Sequence, residues 1–204
     1  TPLRKILNEA QHRFCKHLPL LFVLTVITVD TQGQFVINGL YVGDDEECFE
    51  RAAELSRQVN FTLLSERPEK MVVYLDPEEF HSTWLGNKAI YRTRMAIADG
   101  GQLVILAPGV KTFGEDPEID RLIRLYGYRT SQEVLGLVEE HAELRDNLSA
   151  AAHLIHGSSE NRFSVTYCPG GLSRDEVEGV GYKYGSYEEF AQRYPPGSLK
   201  EGDL

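Results

Sequence analysis

The sequence predicts an α/β protein, a mostly parallel sheet sandwiched by helices with a β-hairpin near the N-terminus. Three observations point there. The runs at 71–75 (MVVYL) and 102–106 (QLVIL) stay β-prone through consecutive positions, as strands covered on both faces do. Segments with apolar residues at three- and four-residue spacing alternate with them. Helix-start signals recur in between: Asp44 to Glu47, Thr130 to Glu133, Ser173 to Glu176 and Ser186 to Glu189 all have capping-box spacing. Strand and helix in alternation build a parallel sheet with crossover helices.

Each element follows from local chemistry. Thr1 and Pro2 cap and open a first helix whose apolar positions Leu3, Ile6, Leu7, Ala10 and Phe14 recur at helical spacing. The run 18–29 (LPLLFVLTVITV) is shorter than the ~20 residues a bilayer span needs, so 20–29 reads as a buried strand. A turn at 30–33 returns the chain as strand 34–41. Asp44 opens a helix to about Gln58, and 61–64 reads as a short strand. A polar loop, 76–86, follows strand 71–75. A helix over 87–98 then ends at Gly100 and Gly101. Asp116 and Pro117 cap and open the next helix, with Ile119, Leu122 and Ile123 inward. A helix or helix pair runs from Thr130 to about His156, then strand 162–166 and two short helices. The reading is a single α/β domain over 1–192 and a flexible tail over 193–204.

Composition narrows the function classes. The chain has 204 residues, 21 Lys plus Arg against 31 Asp plus Glu, and a formal charge of −10. That balance argues against a nucleic-acid-coating surface, which needs clustered cations. Cys15, Cys48 and Cys168 are too few and too scattered for a disulfide framework or a zinc site, and they fit a reducing compartment. With no bilayer-length apolar run and no secretory leader pattern, the expected location is the cytoplasm, without a membrane partner. The first residue is Thr rather than Met, so a piece of a longer protein is expected.

The informative stretch is 76–101. Ligands of open α/β sheets bind at the carboxyl ends of strands, and a helix N-terminus attracts anions. Over 87–98, Lys88, Tyr91, Arg92 and Met95 are spaced i, i+3, i+4, i+7 and share one face, while Ala89, Ile90, Thr93, Ala96 and Ile97 face the sheet. With Asn87 at the helix start, this is a candidate site for a carboxylate or phosphate. The plainer reading makes Lys88, Arg92 and Arg94 a solvated face. His153 and His156 have helical i, i+3 spacing, but with no third ligand in register they read as surface or helix-end histidines and not as a metal site. His81 reads as a loop histidine. No base is identifiable beside Cys168, and phosphate-loop and nucleophile-elbow motifs are absent from the sequence.

The run Trp84-Leu85-Gly86-Asn87-Lys88-Ala89-Ile90-Tyr91-Arg92-Thr93-Arg94-Met95, leading into Ala98-Asp99-Gly100-Gly101 and a hydrophobic strand, resembles the C-terminal domain of the nickel-dependent lactate racemase family. In that family an Asn-x-x-Tyr-Gln-x-x-Lys type helix leads into a Gly-Gly turn. The opening 21–26 (LFVLTV) and the hairpin ending Tyr41-Val42-Gly43-Asp44 are similar to the same domain's start. The resemblance implies a two-domain racemase or epimerase of 2-hydroxy acids. Its nickel-pincer nucleotide and acid/base residues would sit mainly in an N-terminal catalytic domain, so this chain would hold no catalytic residue and no metal ligand. By position, Tyr91 matches the family tyrosine, Arg92 replaces a glutamine and Met95 a lysine. These departures imply a small anionic hydroxy acid other than lactate, such as a sugar acid. A non-catalytic α/β module binding an anionic metabolite at the helix starting at Asn87 stays open as the alternative.

Overall fold

The computed structural model describes residues 2–15, 17–18 and 21–198. The chain falls into two compact units, Thr1–Leu63 and Leu64–Leu204, where the sequence showed no internal boundary. Among the described residues, strands 22–29 and 35–43 pair only with each other and do not join the parallel sheet, a distinction that hydrophobic periodicity does not carry.

The first unit comprises α1 (Pro2–Phe14), β1 (Phe22–Val29), β2 (Phe35–Gly43) and α2 (Glu46–Asn60). β1 and β2 are antiparallel, from Phe22 opposite Gly43 to Val29 opposite Phe35. The Asp30 carboxylate closes the turn by accepting from the Gln32 and Gln34 amides at 2.8 and 2.9 Å. The expected buried strand is corrected. Val26 is buried, but Val23, Ile27 and Val29 are exposed beside their exposed cross-strand partners Val42, Ile37 and Phe35. A two-stranded sheet with a helix on one side has one inner face, so the apolar run is not matched by two-sided burial. α2 is capped by Asp45, which accepts from the Cys48 amide at 3.1 Å, and not by Asp44. Residues 61–64 form no strand.

The second unit runs β3 (Lys70–Tyr74), α3 (Thr83–Gly86), α4 (Lys88–Thr93), β4 (Gln102–Ala107), α5 (Pro117–Tyr126), α6 (Ser131–Glu140), α7 (Ala142–Asp146), α8 (Leu148–His156), β5 (Ser164–Pro169), α9 (Arg174–Gly179), β6 (Lys183–Tyr184) and α10 (Tyr187–Arg193), then a 3-10 turn at Pro196–Ser198. The sheet order is β3-β4-β5-β6 and every pair is parallel. Alternation along the strands splits two cores. Met71, Leu103, Ile105, Val165 and Tyr167 join Ile90, Leu122, Ile123 and Leu154 of the intervening helices. Val104, Leu106 and Cys168 meet Tyr187, Phe190 and Tyr194 on the opposite face. Each fully buried aliphatic side chain contributes about 1.5–3 kcal/mol, and the layered α/β expectation holds.

Local signals mostly hold, with corrections. Thr130–Glu133 and Ser173–Glu176 are reciprocal capping boxes. Ser186 accepts from the Glu189 amide, while its own hydroxyl goes to Glu188. The helix expected over 87–98 is only the six residues of α4. The Thr93 hydroxyl bonds back to the Ala89 carbonyl at 2.6 Å, and the Ala98 amide leaves to bond Pro68 O at 3.0 Å. The segment after Thr130 is three helices, because His141 and Asn147 take non-helical backbone angles at each junction. Of the expected tail, 199–204 lie outside the described residues. No helix among the described residues is long and apolar enough to cross a membrane.

Candidate functional site

Two loops leaving the carboxyl ends of β3 and β4 zip together and place the site. The Lys111 amide bonds His81 O at 3.0 Å, the Thr83 amide bonds Thr112 O at 3.1 Å and the Trp84 amide bonds Phe113 O at 2.9 Å. The polar stretch 76–86 is therefore no free loop. Ser82 caps α3 and donates its hydroxyl to the Glu115 carboxylate. α3 passes directly into α4, which packs on α8. Arg94 fixes that pair by donating to the carbonyls of Ile155 and His156, both at 3.0 Å, at the C-terminus of α8. Arg162 in turn donates to Arg94 O and Ile97 O at 3.0 and 3.2 Å and pairs with Asp99. Arg94 is thus a half-buried clamp and not part of a solvated face.

Between α3, α4 and α8 lies a cleft of about 360 Å³ lined by Trp84, Leu85, Lys88, Tyr91, Ser149, Ala152, His153 and His156. This is near the lower end of small-ligand sites, about 300 Å³. The two histidines of the HLIH run part company. His156 is exposed and its ring lies 5.4 Å from that of Tyr91. His153, expected at a surface or helix end, is only 4% exposed. Its ring lies 4.6 Å from Trp84 and its Nε2 is 3.0 Å from the Tyr128 hydroxyl. Burial, with the charge of His156 adding to it, lowers the His153 pKa to about 3. Tyr128 continues to the Thr83 hydroxyl at 2.7 Å, and Thr83 to Phe113 O at 2.9 Å. Burial raises the Tyr128 pKa well above that of a free phenol.

The sequence-predicted residues separate in space. Lys88 and Tyr91 line the cleft. Arg92 is exposed and Met95 is 82% exposed beyond the end of α4; neither is among the cleft's lining residues. Asn87 is 1% exposed, and both of its side-chain polar atoms are buried without a hydrogen-bond partner in the protein. Gly157 packs close to it: an added Cβ there would come within 2.5 Å of Asn87 Nδ2 and 2.3 Å of the Tyr128 ring. The amides of Asn87, Ile90 and Tyr91 are bonded within the α3–α4 turn, to Thr83 O and Asn87 O. Residues that the sequence reading did not assign to this site are Trp84, Ser149, Ala152 and the Thr83–Tyr128–His153 chain, although Trp84 opens the family-like run and His153 is weighed there as a metal ligand. Trp84, the chain's single tryptophan, was the available signal.

As a metal centre these residues do not qualify: among the described residues no three His, Cys, Asp or Glu side chains come together as a ligand group. Cys168 is buried and its thiol pKa is pushed up to about 12, which leaves it a poor nucleophile.

No protein-family profile matches the chain, and no curated protein matches it. Solved structures do. A crystal structure of a Thermotoga maritima protein matches 100% of this chain with a TM-score of 0.69 at 24% identity. The lactate racemase apoprotein of Thermoanaerobacterium thermosaccharolyticum matches 86% of it with a TM-score of 0.56 at 14% identity. The fold is distantly lactate-racemase-like. The aligned part spans 50% of the Thermotoga protein and 41% of the racemase, so the chain covers about half of each at most.

Proposed function

We propose that this chain is the C-terminal substrate- and cofactor-covering domain of a racemase or epimerase of 2-hydroxy acids that uses a nickel-pincer nucleotide, acting on an anionic acid other than lactate. The observation that carries this reading is the racemase-like fold with a cleft built from the Trp84–Tyr91 run, the segment whose residues resemble the family. The share of the solved neighbours left uncovered leaves room for a separate catalytic domain. The family resemblance assigns nickel, its pincer and the acid/base groups to that other domain, and no chemical step to this chain. Its work is to bind and orient. Lys88 and Tyr91 offer a cation and a phenol to the carboxylate and hydroxyls of the acid. Arg92, exposed next to them in sequence, is a second cation for the larger acid or for the closing domain.

The test uses the full-length protein from cells that make the pincer nucleotide. Nickel is measured by elemental analysis, and inversion at C2 is followed by chiral chromatography over a panel from lactate to gluconate. Stoichiometric nickel with inversion of one acid class is expected, and Arg92→Ala should weaken activity or affinity for that acid. No nickel and no inversion, beside a control racemase that loads normally, would end this reading and leave a binding module.

A further inference from the structure

The end of one buried hydrogen-bond chain fixes every proton along it. Thr83 Oγ1 lies 2.9 Å from the carbonyl oxygen of Phe113, which has no hydrogen to give, so Thr83 donates there. A hydroxyl has one hydrogen. In the 2.7 Å contact between Thr83 and Tyr128 the phenol is therefore the donor. The phenol's hydrogen is then spent, so the 3.0 Å contact to His153 is an imidazole Nε2–H donating to the tyrosine oxygen. His153 is held as the Nε2–H tautomer and its Nδ1 carries a lone pair. That Nδ1 makes no hydrogen bond among the described residues, and it is not among the unpartnered atoms sealed from solvent. His153 is among the residues lining the cleft, and the Trp84 ring beside it holds the imidazole plane. Burial keeps the ring neutral, with its pKa lowered to about 3.

We propose that His153 Nδ1 is a fixed acceptor for a hydroxyl of the molecule bound in this cleft, while Lys88 takes its anionic group, so that the cleft selects hydroxylated anions over their deoxy counterparts. A neutral lone pair repels a carboxylate oxygen and accepts from an O–H, which orients the ligand with its acid group at Lys88. A deoxy analogue leaves the acceptor unpaired, and sites built around a ligand hydroxyl reject analogues that lack it. The inference rests on the cleft being the ligand site, as proposed above, but not on racemisation.

Calorimetric titration of the full-length protein with lactate against propanoate, and gluconate against 2-deoxygluconate, tests it. At least one hydroxy acid should bind about tenfold more tightly than its deoxy partner, the scale of one buried hydrogen bond. His153→Phe keeps an aromatic ring on Trp84 and should erase the preference, read as the ratio of hydroxy-acid to deoxy-acid affinity. His153→Asn, whose Oδ1 falls near the Nδ1 position, should restore part of it. A folded His153→Phe protein that discriminates as the wild type does, or a wild type with no preference or no binding, overturns the proposal. Nitrogen NMR of the wild-type imidazole decides the matter even if the variant does not fold. An unprotonated Nδ1 whose resonance moves with the hydroxy acid and not with the deoxy acid is expected, and a protonated Nδ1 overturns the proposal. Discrimination without C2 inversion would remove the racemase reading alone. Inversion with unchanged discrimination in His153→Phe would remove this one alone.

Discussion

The indole of Trp84 lies 4.6 Å from the His153 imidazole, with the two planes inclined by 32°. The contact joins α3 to α8, and it buries a histidine that must stay neutral to remain there. Because its folded pKa is lowered to about 3 from 6.5, the unfolded chain binds this proton more readily. The stabilisation is complete above the unfolded value and is lost as pH falls towards the folded one, at about 1.4 kcal/mol per pH unit in that window. Urea unfolding between about pH 7 and pH 5, above most carboxylate titration, should show that slope. His153→Phe should flatten it, and an equal slope in the variant would contradict a buried neutral imidazole.

Two glycines should respond in opposite directions to alanine. A Cβ on Gly157 would lie 2.3 Å from the Tyr128 ring, so Gly157→Ala should cost about 1–3 kcal/mol as overpacking. A Cβ on Gly136, within α6, meets nothing within 4 Å, so Gly136→Ala should stabilise by about 0.4–1 kcal/mol through the unfolded chain's entropy. Denaturant midpoints check both, and equal effects would mean that the Gly157 contact is not there.

Glu176 holds the start of α9 by accepting from the Ser173 amide at 2.7 Å, and it pairs with Arg124 of α5. The Ser173 bonds and then Arg124 lower its pKa to about 2. Glu176→Ala should lose about 1 kcal/mol, the usual worth of a cap. Most of that loss should persist at high salt, because the exposed Arg124 arm is the screened part. A loss abolished by salt would reassign the effect to the ion pair. The depressed pKa adds a sign: Glu176 stabilises above the ordinary carboxylate range, and that share disappears as pH falls towards about 2.

Cys168, buried against Phe190 with its pKa pushed up to about 12, should resist iodoacetamide in the native protein and react only as the chain unfolds. Mass spectrometry of the labelled peptide follows this, and rapid native labelling would show that the α10 face opens.

The sequence by itself determined the parallel β3–β4–β5 core, because runs such as QLVIL have no polar face to offer solvent. It also determined the helix starts at Asp116, Thr130 and Ser173, where side chain and amide are three residues or fewer apart. Lys88 and Tyr91 were legible as a pair from helical spacing, and that spacing survives in a six-residue helix. Contacts distant in sequence decided the rest. The spacing that grouped Met95 with Lys88 has no force once Thr93 ends the helix, whereas Arg92 keeps its place inside α4 but does not line the cleft. His153 and His156 look alike as an i, i+3 pair, yet one faces Trp84 and Tyr128 and the other Tyr91. Asn87 read as the helix start of a candidate anion site, but it is buried, with Gly157 packed close to its side chain. Periodicity records which side chains avoid water. Which polar groups are buried with them is set by the neighbours that tertiary packing supplies.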